Sequence, residues 1–113
     1  MTDSDKKSQG RRAMADALLQ DSQREATPWR SRADLAFESA YLYALSVLGD
    51  RADKYQHPDA HVFTLAAGEL GITAEQIEPA AEYLKHRYDP TSPDNGSAYS
   101  VLISIAKLLG AER

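Results

Sequence analysis

Residues 33–48, ADLAFESAYLYALSVL, have helical spacing and are apolar on almost every side. At about 100° per residue, Ala36, Ala40, Tyr43, Ala44 and Val47 fill one sector of the wheel, and Phe37, Tyr41 and Leu48 fill the next. Leu35 and Leu42 lie opposite, beside the small Ser39 and Ser46. A helix on a protein surface needs one apolar stripe, so a helix apolar all round is either central to its domain or shared with a second chain. The run predicts an all-α protein organised around one helix. It also predicts a homodimer in which Leu35, Ser39, Leu42 and Ser46 face the second copy.

The rest of the chain supplies the helices that such a centre needs. Residues 1–10 are polar and predict a disordered leader. Residues 11–30 predict a weak amphipathic helix, with Met14, Ala17 and Leu18 on one side, and a linker broken at Ala26-Thr27-Pro28. Residues 31–113 form the bundle domain. The apolar helix is expected to start near Ser31 or Ala33 and to run to about Asp53. Pro58 is then placed at the first position of a helix reaching Leu70, with Val62, Phe63, Ala66, Ala67 and Leu70 inward and Gly71 ending it in the left-handed conformation. Thr73 and Gln76 have capping-box spacing, but Pro79 conflicts with a helix begun there. The spacing therefore predicts a turn over 73–77 and a helix from Glu78 or Pro79 to about Tyr88. Asp89–Gly96 is loop, and a last helix covers about Ser97–Leu109. The expected architecture is an up-and-down bundle of four main helices preceded by the leader and the weak helix.

Composition narrows the function classes. A chain of 113 residues buries one core without covalent staples, and the absence of cysteine excludes disulfides and thiolate metal sites. No run approaches a membrane span and no apolar signal segment opens the chain, so a cytoplasmic protein without membrane contact is expected. Residues 1–32 carry seven basic and five acidic groups, whereas residues 33–113 carry six basic and twelve acidic ones. An acidic body repels the phosphates of nucleic acid.

Few residues suggest chemistry. His57 and His61 stand four apart, with Asp53 four before His57, but Pro58 breaks the helix that would align them; no metal site and no cofactor are expected. Lys85-His86-Arg87 is the one basic triplet of the acidic body, a candidate phosphate contact at Lys85 and Arg87. Trp29, the single tryptophan, is expected in the linker, where it either staples the bundle or anchors a protein partner. Six tyrosines need polar partners for their hydroxyls and are expected to edge the core.

Arg51 and His57 are separated by five residues. With Arg32-x-Asp34-Leu35 introducing the apolar helix, Tyr41-Leu42-Tyr43 at its centre and Tyr88-Asp89-Pro90 before the closing helix, the layout over about residues 31–110 resembles the HEPN group of small bacterial helical bundles. The resemblance implies a helical-bundle fold. It also implies, at Arg51 and His57, the arginine–histidine pair with which the family's nucleases act on RNA, one member stabilising charge and the other moving a proton. Here the small Ala52 follows the arginine, where a polar residue is usual in those nucleases, and Asp50, Asp53 and Asp59 surround the pair. The expected function is therefore non-catalytic binding or regulation through protein or nucleic-acid association. The alternatives are a HEPN-type ribonuclease, such as the toxin of a toxin–antitoxin pair, and a structural helical adaptor.

Overall fold

The apolar run sits in the middle of the molecule. The structure, a computed structural model, describes residues 2–86 and 95–111. Its helices are α1 (Asp3–Ser22), α2 (Trp29–Leu48), α3 (His61–Leu70), α4 (Ala74–His86) and α5 (Asn95–Gly110), with a 3₁₀ turn over Gly49–Lys54. No strand occurs among the described residues. The protein is an all-α bundle.

Helix α2 is apolar all round because the chain's own α1, α3 and α5 surround it. Ala33, Ala36, Phe37, Ala40, Tyr41, Tyr43, Ala44, Leu45 and Leu48 are all buried. Phe37 meets Phe63 of α3 edge-on at 5.7 Å and Tyr83 of α4 at 5.4 Å between centroids. Burying a phenylalanine stabilises by about 1.5–3 kcal/mol relative to leaving it in water, so this aromatic cluster ties three helices together. Gly49 takes a positive φ of 58° as the helix stops.

Of the face assigned to a second copy, one residue is covered by α1 and three are half-buried. Ser39 is fully buried, and its hydroxyl donates to the carbonyl of Ala15 at 2.8 Å. Leu42 is half-buried and packs on the core, and the hydroxyl of Ser46 donates to Tyr43 O of its own helix at 2.8 Å. Ser39 is thus an intramolecular contact, because two small residues let the two helices approach closely. Leu35 is half-buried.

Helix α1 departs most from expectation. Residues 3–10, expected to be disordered, are its first turns. Thr2 and Asp5 form a capping box, Asp5 N donating to Thr2 Oγ1 at 3.1 Å and Thr2 N to Asp5 Oδ2 at 3.3 Å. The helix buries Ala15 and Ser22 and packs Leu19 on the core, while Met14, expected inward, is 56% exposed and Ala17 is also exposed. Polar contacts do the rest. Lys7 pairs with Asp53 at 2.9 Å and Arg11 with the same carboxylate at 3.5 Å, which holds the Asp53 carboxyl below its usual range through the Lys7 hydrogen bond first.

The later helices shift at their starts. Helix α3 begins at His61 rather than at Pro58, because Asp59 Oδ1 accepts from His61 N at 2.9 Å and so fixes the first turn. Its buried residues are Val62, Phe63, Ala66 and Ala67, and Gly71 ends it with φ 71°. Helix α4 starts at Ala74 and runs straight through Pro79. The Thr73–Gln76 capping box forms after all, with Thr73 N donating to Gln76 Oε1 at 3.0 Å and Gln76 N to Thr73 Oγ1 at 3.4 Å. That cap holds the first turn, so α4 keeps its course although Pro79 has no N–H to bond the Glu75 carbonyl. Ile77 and Ala80 are its buried residues. Tyr88 and most of the expected Asp89–Gly96 loop lie outside the described residues. No helix among the described residues is long and apolar enough to cross a membrane.

Candidate binding site at the start of the second helix

The structure does not unite Arg51 with His57. Arg51 leaves the 3₁₀ turn toward α3, where it pairs with Glu69, and its guanidinium also donates to Leu48 O at 3.1 Å and Val47 O at 3.3 Å. His57 has a different partner. Its Nδ1 lies 2.6 Å from the hydroxyl of Tyr41, which also accepts from Asp59 N at 2.9 Å. The hydroxyl has both a proton and a second lone pair for the Nδ1 contact, so Tyr41 joins His57 to the Asp59 backbone in either imidazole tautomer. Burial raises the Tyr41 phenol above its ordinary value, which makes it a poorer acid still. Arg51 closes a helix end, while His57 and Tyr41 pin the connection into α3.

The remaining sequence candidates are scattered. Lys85 is exposed and pairs with Glu82 at 3.5 Å, and His86 stands 3.7 Å from the same carboxylate. Arg87 lies outside the described residues. Among the described residues, no group of three or more His, Asp or Glu side chains is placed to hold a metal ion.

Trp29 is not in a linker: it is the first residue of α2. Three positions later on the same helix face stands Arg32, its guanidinium carbon 4.4 Å from the tryptophan ring. Tyr99 of α5 reaches the same guanidinium, its ring 4.5 Å from that carbon and its hydroxyl 3.2 Å from Nη2. Nε of Arg32 donates to Ser22 O at 2.8 Å, at the carbonyl end of α1 where a cation is favoured. One guanidinium therefore joins the end of α1, the start of α2 and the flank of α5.

The corner is asymmetric in exposure. Arg32 is only 9% exposed, whereas Trp29 beside it is 53% exposed. The Trp29 and Tyr99 centroids are 5.5 Å apart, far less than the sum of their distances from the guanidinium carbon, so both rings lie on one side of it. The arrangement can hold a partner's apolar group on the indole with a fixed cation beneath it.

Sequence reasoning found Trp29 here but missed Arg32 and Tyr99. The available signal was the spacing Trp29-x-x-Arg32, with Arg32 four residues before the inward Ala36: an arginine on the buried face of a helix. Comparison of the chain with protein-family models, curated proteins and solved structures finds no match.

Proposed function

We propose that this protein is a cytoplasmic, non-catalytic association module, a helical bundle of HEPN-like layout that binds another protein through the corner of Trp29, Arg32 and Tyr99. The observation that carries the reading is the half-exposed Trp29, held in place by a buried arginine and by Tyr99. Tryptophan and arginine are the residue types that most often anchor protein interfaces. A fixed indole also loses little entropy when a partner covers it. The net charge of −4 favours a protein partner over nucleic acid. The cysteine-free sequence suits a reducing compartment.

A ribonuclease reading would need Arg51 and His57 to act on one phosphate, and within a chain each is engaged elsewhere. The association reading is tested by placing a photo-crosslinking phenylalanine analogue at position 29 of the full chain, with position 107 on α5 as the control, and irradiating in the native cells. The expected result is one identified protein joined at 29 and not at 107, which then binds the purified chain and fails to bind Trp29→Ala. Adducts that do not differ between the two positions overturn the reading.

A further inference from the structure

We infer that Arg32 is a receptor for a carboxylate, and that the group this corner takes is a peptide carboxylate with an apolar side chain next to it. The inference rests on the reading of Trp29 as an anchor and adds the chemistry of what it holds. Arg32 is nine-tenths buried, yet no carboxylate among the described residues pairs with it. Buried charges are ordinarily compensated by a counter-charge.

The donor inventory points the same way. A guanidinium has five N–H donors in a planar fork. In this chain Nε is taken by Ser22 O and one Nη2 proton by the Tyr99 hydroxyl, which leaves three donors, both of those on Nη1 included, without a protein acceptor among the described residues. The fork suits a carboxylate, which accepts two parallel N–H bonds at once.

The aromatic rings decide the rest of the ligand. Because Trp29 and Tyr99 lie on one side of the guanidinium, they leave its other side uncovered by an aromatic ring, and they present an indole 53% exposed immediately beside the charge. An apolar side chain adjacent to the carboxylate covers that indole while the carboxylate meets the fork. A polyanion is disfavoured by the acidic body, which carries twelve acidic against six basic groups over residues 33–113.

The single tryptophan makes the test direct, since its fluorescence reports on the site in the wild-type chain. Two probe pairs separate the two sources of a peptide carboxylate. Acetyl-leucine against acetyl-leucinamide tests a chain terminus, and acetyl-leucyl-glutamyl-amide against acetyl-leucyl-glutaminyl-amide tests an acidic side chain. In at least one pair the acid is expected to saturate the fluorescence change at about tenfold lower concentration than its neutral analogue, the difference between a charge-assisted and an ordinary hydrogen bond. Arg32→Lys, checked for an unchanged far-ultraviolet circular dichroism spectrum, is expected to reduce that preference below about threefold, because lysine lacks the fork. Equal binding of acid and neutral probes overturns the carboxylate inference and leaves Trp29 as an apolar anchor. Absence of saturable binding by all four probes also overturns it, and the crosslinking experiment then decides the association reading by itself.

Discussion

Gly110 lies against the ring of Tyr43, so close that a Cβ on Gly110 would stand 2.6 Å from Cζ and 2.7–2.8 Å from both Cε atoms. The ring has no room to retreat. Tyr43 is 4% exposed, its hydroxyl donates to Asp16 of α1, and Arg12 lies 5.5 Å over its face while also donating to the Gly110 carbonyl. Helices α1, α2 and α5 thus meet at one tyrosine. Gly110→Ala is expected to destabilise the protein by about 1–3 kcal/mol, the usual cost of overpacking, despite the better helix propensity of alanine. Chemical denaturation measures the loss. In a Tyr43→Leu background, which removes the opposing ring, the same substitution should cost less than about 0.5 kcal/mol.

Alkaline pH should loosen the same corner. Burial first, then the Asp16 hydrogen bond, push the Tyr43 phenol from 10.0 up to about 12. The folded state therefore keeps a proton that the unfolded chain releases, and the stability this proton contributes is intact below pH 10 and lost as pH rises toward 12. The slope from one such group is at most about 1.4 kcal/mol per pH unit. Urea unfolding of wild type and Tyr43→Phe at pH 9, 10 and 11 isolates it, since lysines titrate equally in both. Parallel pH profiles for the two proteins would show that the phenol proton is not retained.

Helix α2 was legible because its burial is written in apolar residues, and Gly71 because a left-handed helix end selects glycine. The need of the tyrosine hydroxyls for polar partners was legible too, since Tyr41, Tyr43, Tyr83 and Tyr99 each bond a polar group outside their own helix, although Tyr41 and Tyr43 lie in the core and not at its edge. Helix α1 was legible only in part: the amphipathic helix expected within residues 11–30 is there, ending at Ser22, but the turns over residues 3–10 depart from the expected disorder. It is fixed by Lys7, Arg11, Arg12 and Asp16 and by the small Ala15, and hydrophobic periodicity is blind to all of these. The local sign of its first turns was the Thr2-x-x-Asp5 capping spacing. The corner at Arg32 stayed hidden for a related reason: a buried cation depends on Ser22 O and Tyr99, whose proximity is tertiary.

Leu42 distinguishes a core helix from a dimer seam. Its side chain is half-buried and packs on the core. Leu42→Arg is expected to cost about 2–4 kcal/mol, by loss of the packed methyl groups and by the charge placed there. Thermal unfolding together with light scattering checks this. A variant that keeps its midpoint but changes from dimer to monomer would show that Leu42 faces a second copy.

Pro79 is a defect that α4 tolerates. It is exposed and inside the helix, and it leaves the Glu75 carbonyl without its α-helical donor. Pro79→Ala restores that bond at the expense of a more flexible unfolded chain. A net gain of about 1–2 kcal/mol is expected in denaturant unfolding. A loss instead would mean that the proline ring's packing in the groove with Tyr83, Ala98, Val101 and Leu102 outweighs the missing hydrogen bond.

His57 and Arg51 separate binder from enzyme. As a structural pair they do unrelated work: His57 hydrogen-bonds the buried Tyr41, and Arg51 ties the 3₁₀ turn to Glu69. His57→Ala is then expected to lower stability by about 0.5–1.5 kcal/mol, the contribution of one hydrogen bond, and Arg51→Ala to change it by less than about 1 kcal/mol because its ion pair is exposed. Neither should alter any action on RNA, since wild type should release no more fragments than a buffer control. A nuclease site predicts a different outcome, a fall of about 10²–10⁴-fold in cleavage on loss of the proton-transfer group, with the fold intact. The geometry argues against that result, because Arg51 is held by Glu69 and His57 by Tyr41, and no contact among the described residues brings the two side chains together. RNA cleavage by wild type that disappears in both variants would transfer the protein from the association class to the ribonucleases.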